Sequence, residues 1–292
     1  MNKTLKALVG RTMEATPFLR RPHMGRLVIL TFHRVRPDDD QEPRPMKNLE
    51  VRVSDFRRML TWMKQRYAVL SLEEWMRGGR VPPGQASFAV TFDDGWADNY
   101  EYAWPVLKEL DLPATVFLAT SAVEDRIPFW WQRVCLTDME IERLKTLSLS
   151  ELNARLLDFP RPRQVPDEFL TWEQTREMGA DGRIRFGLHG HRHALMPSMV
   201  REAALADLIC CRNVVARRLP DAWTPILAWP NGNARHDMEE DLEAMGLLGA
   251  VGTHRGVARS PLESRWNLPR NNVDRNLAAQ PDLWPWFLLL AR

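Results

Sequence analysis

Continuous apolar runs alternate along this chain with segments whose apolar residues recur every three or four positions, the pattern of parallel βα units. Leu27 to Phe32 is the first such run. Val53 to Arg66 follows as an amphipathic helix with Ser54 placed as its N-cap. Ser71-Leu72-Glu73-Glu74 is a capping-box sequence that opens a short helix. Phe88 to Phe92 reads as a buried strand, Trp96 to Leu110 as a helix, and Ala114 to Ala119 as a further strand. From Ser121 to Pro166 the alternation breaks into a Pro- and Arg-rich stretch with short helical patches, which predicts an insertion over one end of the fold. Thr171-Trp172-Glu173-Gln174 then caps a new helix, and Arg183 to Leu188 resumes the strands. Ser198 to Leu219 is a long helix, Pro225 to Trp229 a strand, Asp237 to Met245 a helix and Leu248 to Thr253 a strand. Asn267 to Val273 completes seven or eight strands, with no internal repeat.

This alternation over 292 residues, 45% of them hydrophobic, predicts an α/β fold: one (β/α) barrel, which takes about 250 residues. In parallel barrels function gathers at the carboxyl ends of the strands, and here polar residues stand at those ends repeatedly. His33 follows the first strand; Asp93, Asp94 and Gly95 follow the strand Phe88 to Phe92; His254 follows Thr253. His189-Gly190-His191-Arg192-His193 follows Leu188, and Pro230-Asn231-Gly232 follows Trp229. Asp-Asp-Gly alone is a common strand-to-helix turn, and a run of histidines alone can be a polar loop. Both at strand ends of one barrel point to chemistry. One carboxylate and two imidazoles make a three-ligand site with a position open for water, and the second carboxylate is free to act as its base. The reading is a metal-dependent hydrolase.

The series Thr91-Phe92-Asp93-Asp94-Gly95, His189-xxx-His193 and Trp229-Pro230-Asn231-Gly232 resembles the motifs of the NodB-homology polysaccharide deacetylases. The likeness runs from about Leu27 to Val273. It implies a distorted (β/α) barrel of seven or eight strands spanning 27–292, behind an N-terminal extension at 1–26 and with the insertion around 121–166. It also implies a divalent metal, expected to be zinc, on Asp94, His189 and His193, with Asp93 as general base. The backbone N–H of Asn231 would stabilise the oxyanion formed as an acetyl group is hydrolysed from a polysaccharide or glycoconjugate.

Three positions depart from the family pattern. Gly190 stands where a Ser or Thr usually steadies the loop after the first histidine, and no Arg closely precedes Trp229 to orient the base. The segment Asn267 to Val273 lacks the late histidine that serves as general acid. His33 and His254 are the candidate substitutes for that acid, and Arg270 is a candidate to orient Asp93 or touch substrate. Two alternatives stay open: a carbohydrate-binding relative without catalysis, and a non-haem iron protein, whose facial triad uses the same ligand types.

Twelve tryptophans are many for this length. Trp96, Trp130, Trp131 and Trp229 fall in segments expected at the barrel mouth, where indoles suit sugar rings; Trp62, Trp75 and Trp104 read as packing residues. Forty basic and 38 acidic residues leave a formal charge of +2, which argues against a nucleic-acid surface. Cys135, Cys210 and Cys211 form neither a metal spacing nor an even disulfide set, a usage that fits a reducing compartment. Arg11 and Glu14 interrupt the N-terminal segment before any apolar stretch, so no secretory signal is read and a cytoplasmic protein is expected. No segment approaches the ~18 apolar residues of a membrane span. Trp284 to Leu290 predicts a terminal helix docked on the barrel.

Overall fold

The computed structural model describes residues 23–42, 46–147, 149–160 and 168–289. Most of the 1–26 extension and the end of the 121–166 insertion lie outside them.

The strands are β1 (Leu27–Phe32), β2 (Arg34–Arg36), β3 (Glu50–Arg52), β4 (Ala68–Val69), β5 (Ser87–Phe92), β6 (Ala114–Leu118), β7 (Ile184–Leu188), β8 (Trp223–Ala228), β9 (Gly249–Val251) and β10 (Asn271–Asn272). Eight of them form one parallel sheet in the order β10-β1-β5-β6-β7-β8-β9, with β4 beside the start of β5. β2 and β3 form a separate parallel pair that sequence reading did not separate from β1 and the following helix.

The sheet curls into a distorted barrel. Its two end strands meet through Leu268, which bridges to Val251 and exchanges backbone bonds with Ala250 and Gly252 at 2.9 Å before the chain enters β10 beside β1. The strand expected over Asn267 to Val273 is therefore broken in two, and Pro269, which has no N–H to give a ladder, sits at the break.

Strands β1, β5 and β6 are buried along their whole length, which is why they read as unbroken apolar runs rather than alternating ones. One face fills the barrel with Leu27, Ile29, Ala89, Phe117, Ile226 and Val251; the other packs against the surrounding helices. The helix Val53–Lys64 buries Phe56, Met59, Leu60 and Met63 against that outer layer. Ser54 does not cap it: Asp38 does, accepting the N–H of Ser54 at 3.1 Å and its hydroxyl at 2.9 Å. Thr171 caps the Trp172–Ala180 helix in the reciprocal box with Gln174 that the sequence predicts.

The expected helix from Trp96 to Leu110 begins as a π-helical turn at Asn99–Ala103 and becomes α-helical only at Trp104–Glu109. Pro105 supplies no N–H to the preceding turn. The insertion carries helices Thr120–Glu124, Asp138–Leu144 and Leu149–Leu156. The terminal helix Trp284–Leu289 docks on the barrel exterior through Trp284 and Leu288, with Trp284 edge-on to Trp62 at 5.7 Å. Among the described residues no helix is long and apolar enough to cross a membrane.

Candidate active site

The parallel register sets the carboxyl ends of β1, β5, β6, β7 and β8 side by side, so residues far apart in the chain, from His33 to Asn231, meet over one end of the barrel. There they line a cavity of about 420 Å³, within the range that encloses small ligands. His33, Asp93, Asp94, His189, His193 and Asn231 all face it. His254 does not; its side chain is exposed, and it serves the site only through its carbonyl, which accepts the N–H of Arg270 at 3.0 Å. Of the two candidate acids, His33 lines the cavity and the His254 side chain lies outside its lining.

Asp94 sits where the strand turns, with φ of 78°, a left-handed conformation that Asp and Asn tolerate better than most residues. Its two oxygens are divided between two tasks. Oδ2 accepts the indole N–H of Trp96 at 2.8 Å, and Oδ1 lies 3.4 Å from His189 Nε2 and 3.2 Å from His193 Nε2. His189 Nδ1 is 2.8 Å from the carbonyl of Ala228. A carbonyl only accepts, so Nδ1 carries the proton and Nε2 keeps its lone pair for a ligand.

The three donor atoms lie within 4.8 Å of one another. Zinc bonds of about 2.0–2.2 Å in a tetrahedral arrangement place donors roughly 3.3 Å apart, so this spacing and this neutral-imidazole, carboxylate donor set fit a divalent cation. Burial alone would push the Asp94 carboxyl up, yet the two histidines facing its Oδ1 hold it well below the ordinary carboxylate range.

Asp93 is the carboxylate left over, and it is held in a fork. Arg270 donates to Oδ1 at 2.7 Å and to Oδ2 at 2.6 Å, and its Nε donates to the carbonyl of Gly252 at 2.7 Å. The guanidinium is fully buried, which takes Arg270 out of reach of substrate and makes it the group that orients the Asp93 carboxylate. The Arg absent from the segment before Trp229 is thus replaced from the far end of the chain, across the closing seam of the barrel. Against the upward push of burial, Arg270 and then His189 hold the Asp93 carboxyl below its ordinary value.

His33 is pushed the other way. Burial lowers its imidazole more than Asp94 and Asp93 raise it, and its Nδ1 is buried with no hydrogen-bond partner among the described residues.

Gly232 closes the turn beneath Asn231. A Cβ there would stand 1.9 Å from Thr253 Oγ1, and its φ is 73°, so the position requires glycine on both counts. The N–H groups of Gly232 and Asn233 are spent on Trp229 and Pro230 carbonyls, and Asn231 (φ 56°) lines the cavity.

The four mouth tryptophans separate. Trp229 is fully buried with its N–H on the carbonyl of Trp266 at 2.7 Å, so it packs the barrel and presents no face to a sugar. Trp96 touches the cavity but is nearly buried, stacked on Phe169 at 4.8 Å, and its work is to hold Asp94. Trp130 and Trp131 come from the insertion and form the open wall. Trp131 stacks on Phe129 at 4.6 Å and meets the His193 ring edge-on at 5.2 Å.

A support that sequence reading missed lies behind Trp96. Arg34 stacks over its indole at 4.3 Å, pairs with Asp98 at 2.7 Å and donates twice to Glu168 at 2.9 and 3.0 Å. Three residues 134 positions apart gave no local signal. Arg34→Ala is expected to lower stability by about 3–5 kcal/mol in urea unfolding, because buried Asp98 would keep only the more distant Arg36 at 3.7 Å as its cation. A loss below about 1 kcal/mol would place this triad with the weak surface pairs instead.

Comparison with known proteins agrees with this geometry. The family model described as polysaccharide deacetylase matches residues 80–250. The chain is 32% identical over 106 residues to the poly-β-1,6-N-acetyl-D-glucosamine N-deacetylase of Staphylococcus epidermidis, a match covering 32% of this chain and 36% of that protein. Matches to such curated relatives span little more than a third of their length. Among solved structures, the Streptococcus pyogenes deacetylase PplD in complex with acetate superposes with a TM-score of 0.65 at 19% identity, over 92% of this chain and 98% of that one. IcaB from Ammonifex degensii gives 0.63 at 20% identity over 89% and 97%. These two establish the barrel. The family match spans both the aspartates of β5 and the histidines after β7, the residues the fold brings together, and the chain belongs to the polysaccharide deacetylase family.

Proposed function

We propose that this protein is a metal-dependent carbohydrate deacetylase that hydrolyses acetyl groups, N-acetyl before O-acetyl, from a polysaccharide or glycoconjugate. The observation that carries the reading is the pairing of a three-donor cluster, Asp94, His189 and His193, with a second carboxylate, Asp93, held beside it by Arg270. A binding module has no use for a buried, aligned carboxylate that takes no part in the cluster. The S. epidermidis relative, named as an N-deacetylase of poly-β-1,6-N-acetyl-D-glucosamine, supports an N-acetylated glucosamine unit as substrate.

Asp94 Oδ1, His189 Nε2 and His193 Nε2 would hold the cation, zinc by the donor set. When bound, it supplies Lewis acidity toward the acyl oxygen and toward water. Asp93 takes the proton of the attacking water, and Arg270 keeps both of its oxygens in place for that transfer. The Asn231 N–H faces the developing oxyanion. His33 relays to the departing nitrogen, as the C–N bond breaks, the proton that Asp93 removes from the water: the resting neutral imidazole first takes it up and then hands it on. Trp130 and Trp131 carry the sugar ring.

The direct test is acetate release from β-1,6- and β-1,4-linked N-acetylglucosamine oligomers by zinc-loaded protein, before and after chelation. Release that stops on chelation and returns with zinc supports the reading; equal release without metal refutes it. His33→Ala is expected to lower kcat by about 10²–10⁴ while zinc content stays at the wild-type level. Parallel loss of zinc would make His33 a structural residue.

A further inference from the structure

We propose that Asp207, on the helix Arg201–Arg218, is the positioning residue of the metal-binding loop. Its carboxylate clamps the backbone between His189 and His193 and so sets where both imidazoles point. The inference rests on reading those histidines as ligands of a divalent cation.

Backbone groups of the loop His189–His193 find their partners outside the loop. The N–H of His189 donates to the carbonyl of Leu118 at 3.0 Å. The carbonyls of Gly190 and His191 accept from Thr120 and Ser121 at 3.2 and 2.8 Å. Two consecutive N–H groups of the loop go to one side chain: His191 N–H donates to Asp207 Oδ2 at 2.7 Å, and Arg192 N–H to Oδ1 at 3.2 Å. Asp207 is only 7% exposed, on the same buried helix face as Ala204, Leu208 and Cys211, and a buried carboxylate without such donors would be costly.

Gly190 shows why the clamp comes from a helix and not from the loop. Its φ is 74°, and a Cβ there would lie 3.0 Å from Met196 Cε and 3.1 Å from Asp207 Oδ2. The hydroxyl residue that the family usually carries at this position would crowd Met196 and Asp207 here and strain a left-handed backbone. Asp207 occupies the space and satisfies the same stretch of backbone.

The two ligands depend on the clamp unequally. His189 is fixed twice, by its place at the end of β7 and by its Nδ1 on the Ala228 carbonyl. His193 has φ of 52°, and its buried Nδ1 has no partner among the described residues. Metal-bound histidines are ordinarily aimed by a hydrogen bond at the second ring nitrogen. His193 lacks one, so its aim rests on its backbone and on the Phe129 and Trp131 rings beside it. The backbone on its N-terminal side is the part Asp207 holds.

The test is zinc affinity of purified apo-protein, measured by competition with a chromogenic chelator, alongside the melting temperature of the zinc-free form. Asp207→Ala is expected to raise the zinc Kd by about 10–100-fold, the range seen when groups behind metal ligands are removed. Asp207→Asn should fall in between, because the amide keeps one acceptor but turns an NH2 toward the second N–H. Should Asp207→Ala fail to fold, the isosteric Asn variant decides alone. Zinc Kd values within twofold of wild type in the folded variants, whatever the melting temperatures, would overturn the proposal and leave Asp207 a stabilising residue only. Wild-type protein that binds no zinc would remove both this inference and the functional reading. A shifted Kd in a protein that cleaves no acetyl group would support the clamp while refuting the deacetylase.

Discussion

Replacing Asp94 with Asn is expected to leave a folded barrel that no longer retains its metal and no longer turns over. Asp94 Oδ1 is the only anionic donor of the cluster and lies 3.2–3.4 Å from both imidazole nitrogens. Losing its charge removes the strongest attraction for a divalent cation in a buried site, where Coulomb interactions are weakly screened. The loss in affinity should exceed the roughly 100-fold that even a residue behind the ligands can cost. Asn is the informative substitution because it accepts the φ of 78° and can keep the Trp96 hydrogen bond; Ala would add backbone strain and confuse the result. Metal content after dialysis reads the effect, and so does the melting temperature with and without zinc. A ligand at 100 times its Kd stabilises by about 2.7 kcal/mol, so zinc should raise the wild-type melting temperature and leave the variant unmoved. Stoichiometric zinc in Asp94→Asn would show that the cluster is not the metal site.

Asp93→Asn should do the opposite: keep the zinc and lose the chemistry. Removing a general base costs about 10²–10⁴ in kcat. The substitution has a second consequence that distinguishes it from the first. Arg270 is fully buried and would face a neutral amide, and breaking a buried ion pair from one side costs about 3–5 kcal/mol. The single variant is therefore expected to be less stable as well as inactive. Asp93→Asn with Arg270→Met removes both charges and should recover most of that stability in urea unfolding, since an apolar replacement of a buried pair is often neutral. Activity should not return. Were the double variant to regain turnover, the loss in the single one would belong to the misplaced arginine, and Asp93 would not be the base. Undiminished kcat in Asp93→Asn would end the mechanism outright.

The chain's local chemistry determined a good deal by itself. Fully buried strands need apolar side chains on both faces, so β1, β5 and β6 are visible as unbroken runs. The cluster residues are visible because Asp93-Asp94 and His189-xxx-His193 are contiguous motifs, each set by one strand-to-loop turn. What the sequence left open was decided by contacts between distant segments. Arg270 meets Asp93, 177 positions away, only because Leu268 closes the sheet on β9. Asp207 reaches the histidine loop only because its helix packs on β7, and nothing in the helix sequence marks it out from Glu202, the other acidic residue there. Trp229 and His254 stand at strand ends like their neighbours, yet the twist of the sheet sends one into the core and leaves the other exposed outside the cavity. Periodicity reports which residues avoid water and motifs report which can do chemistry; which of them face one another is set by strand register and by how the barrel closes, and no single segment carries that information.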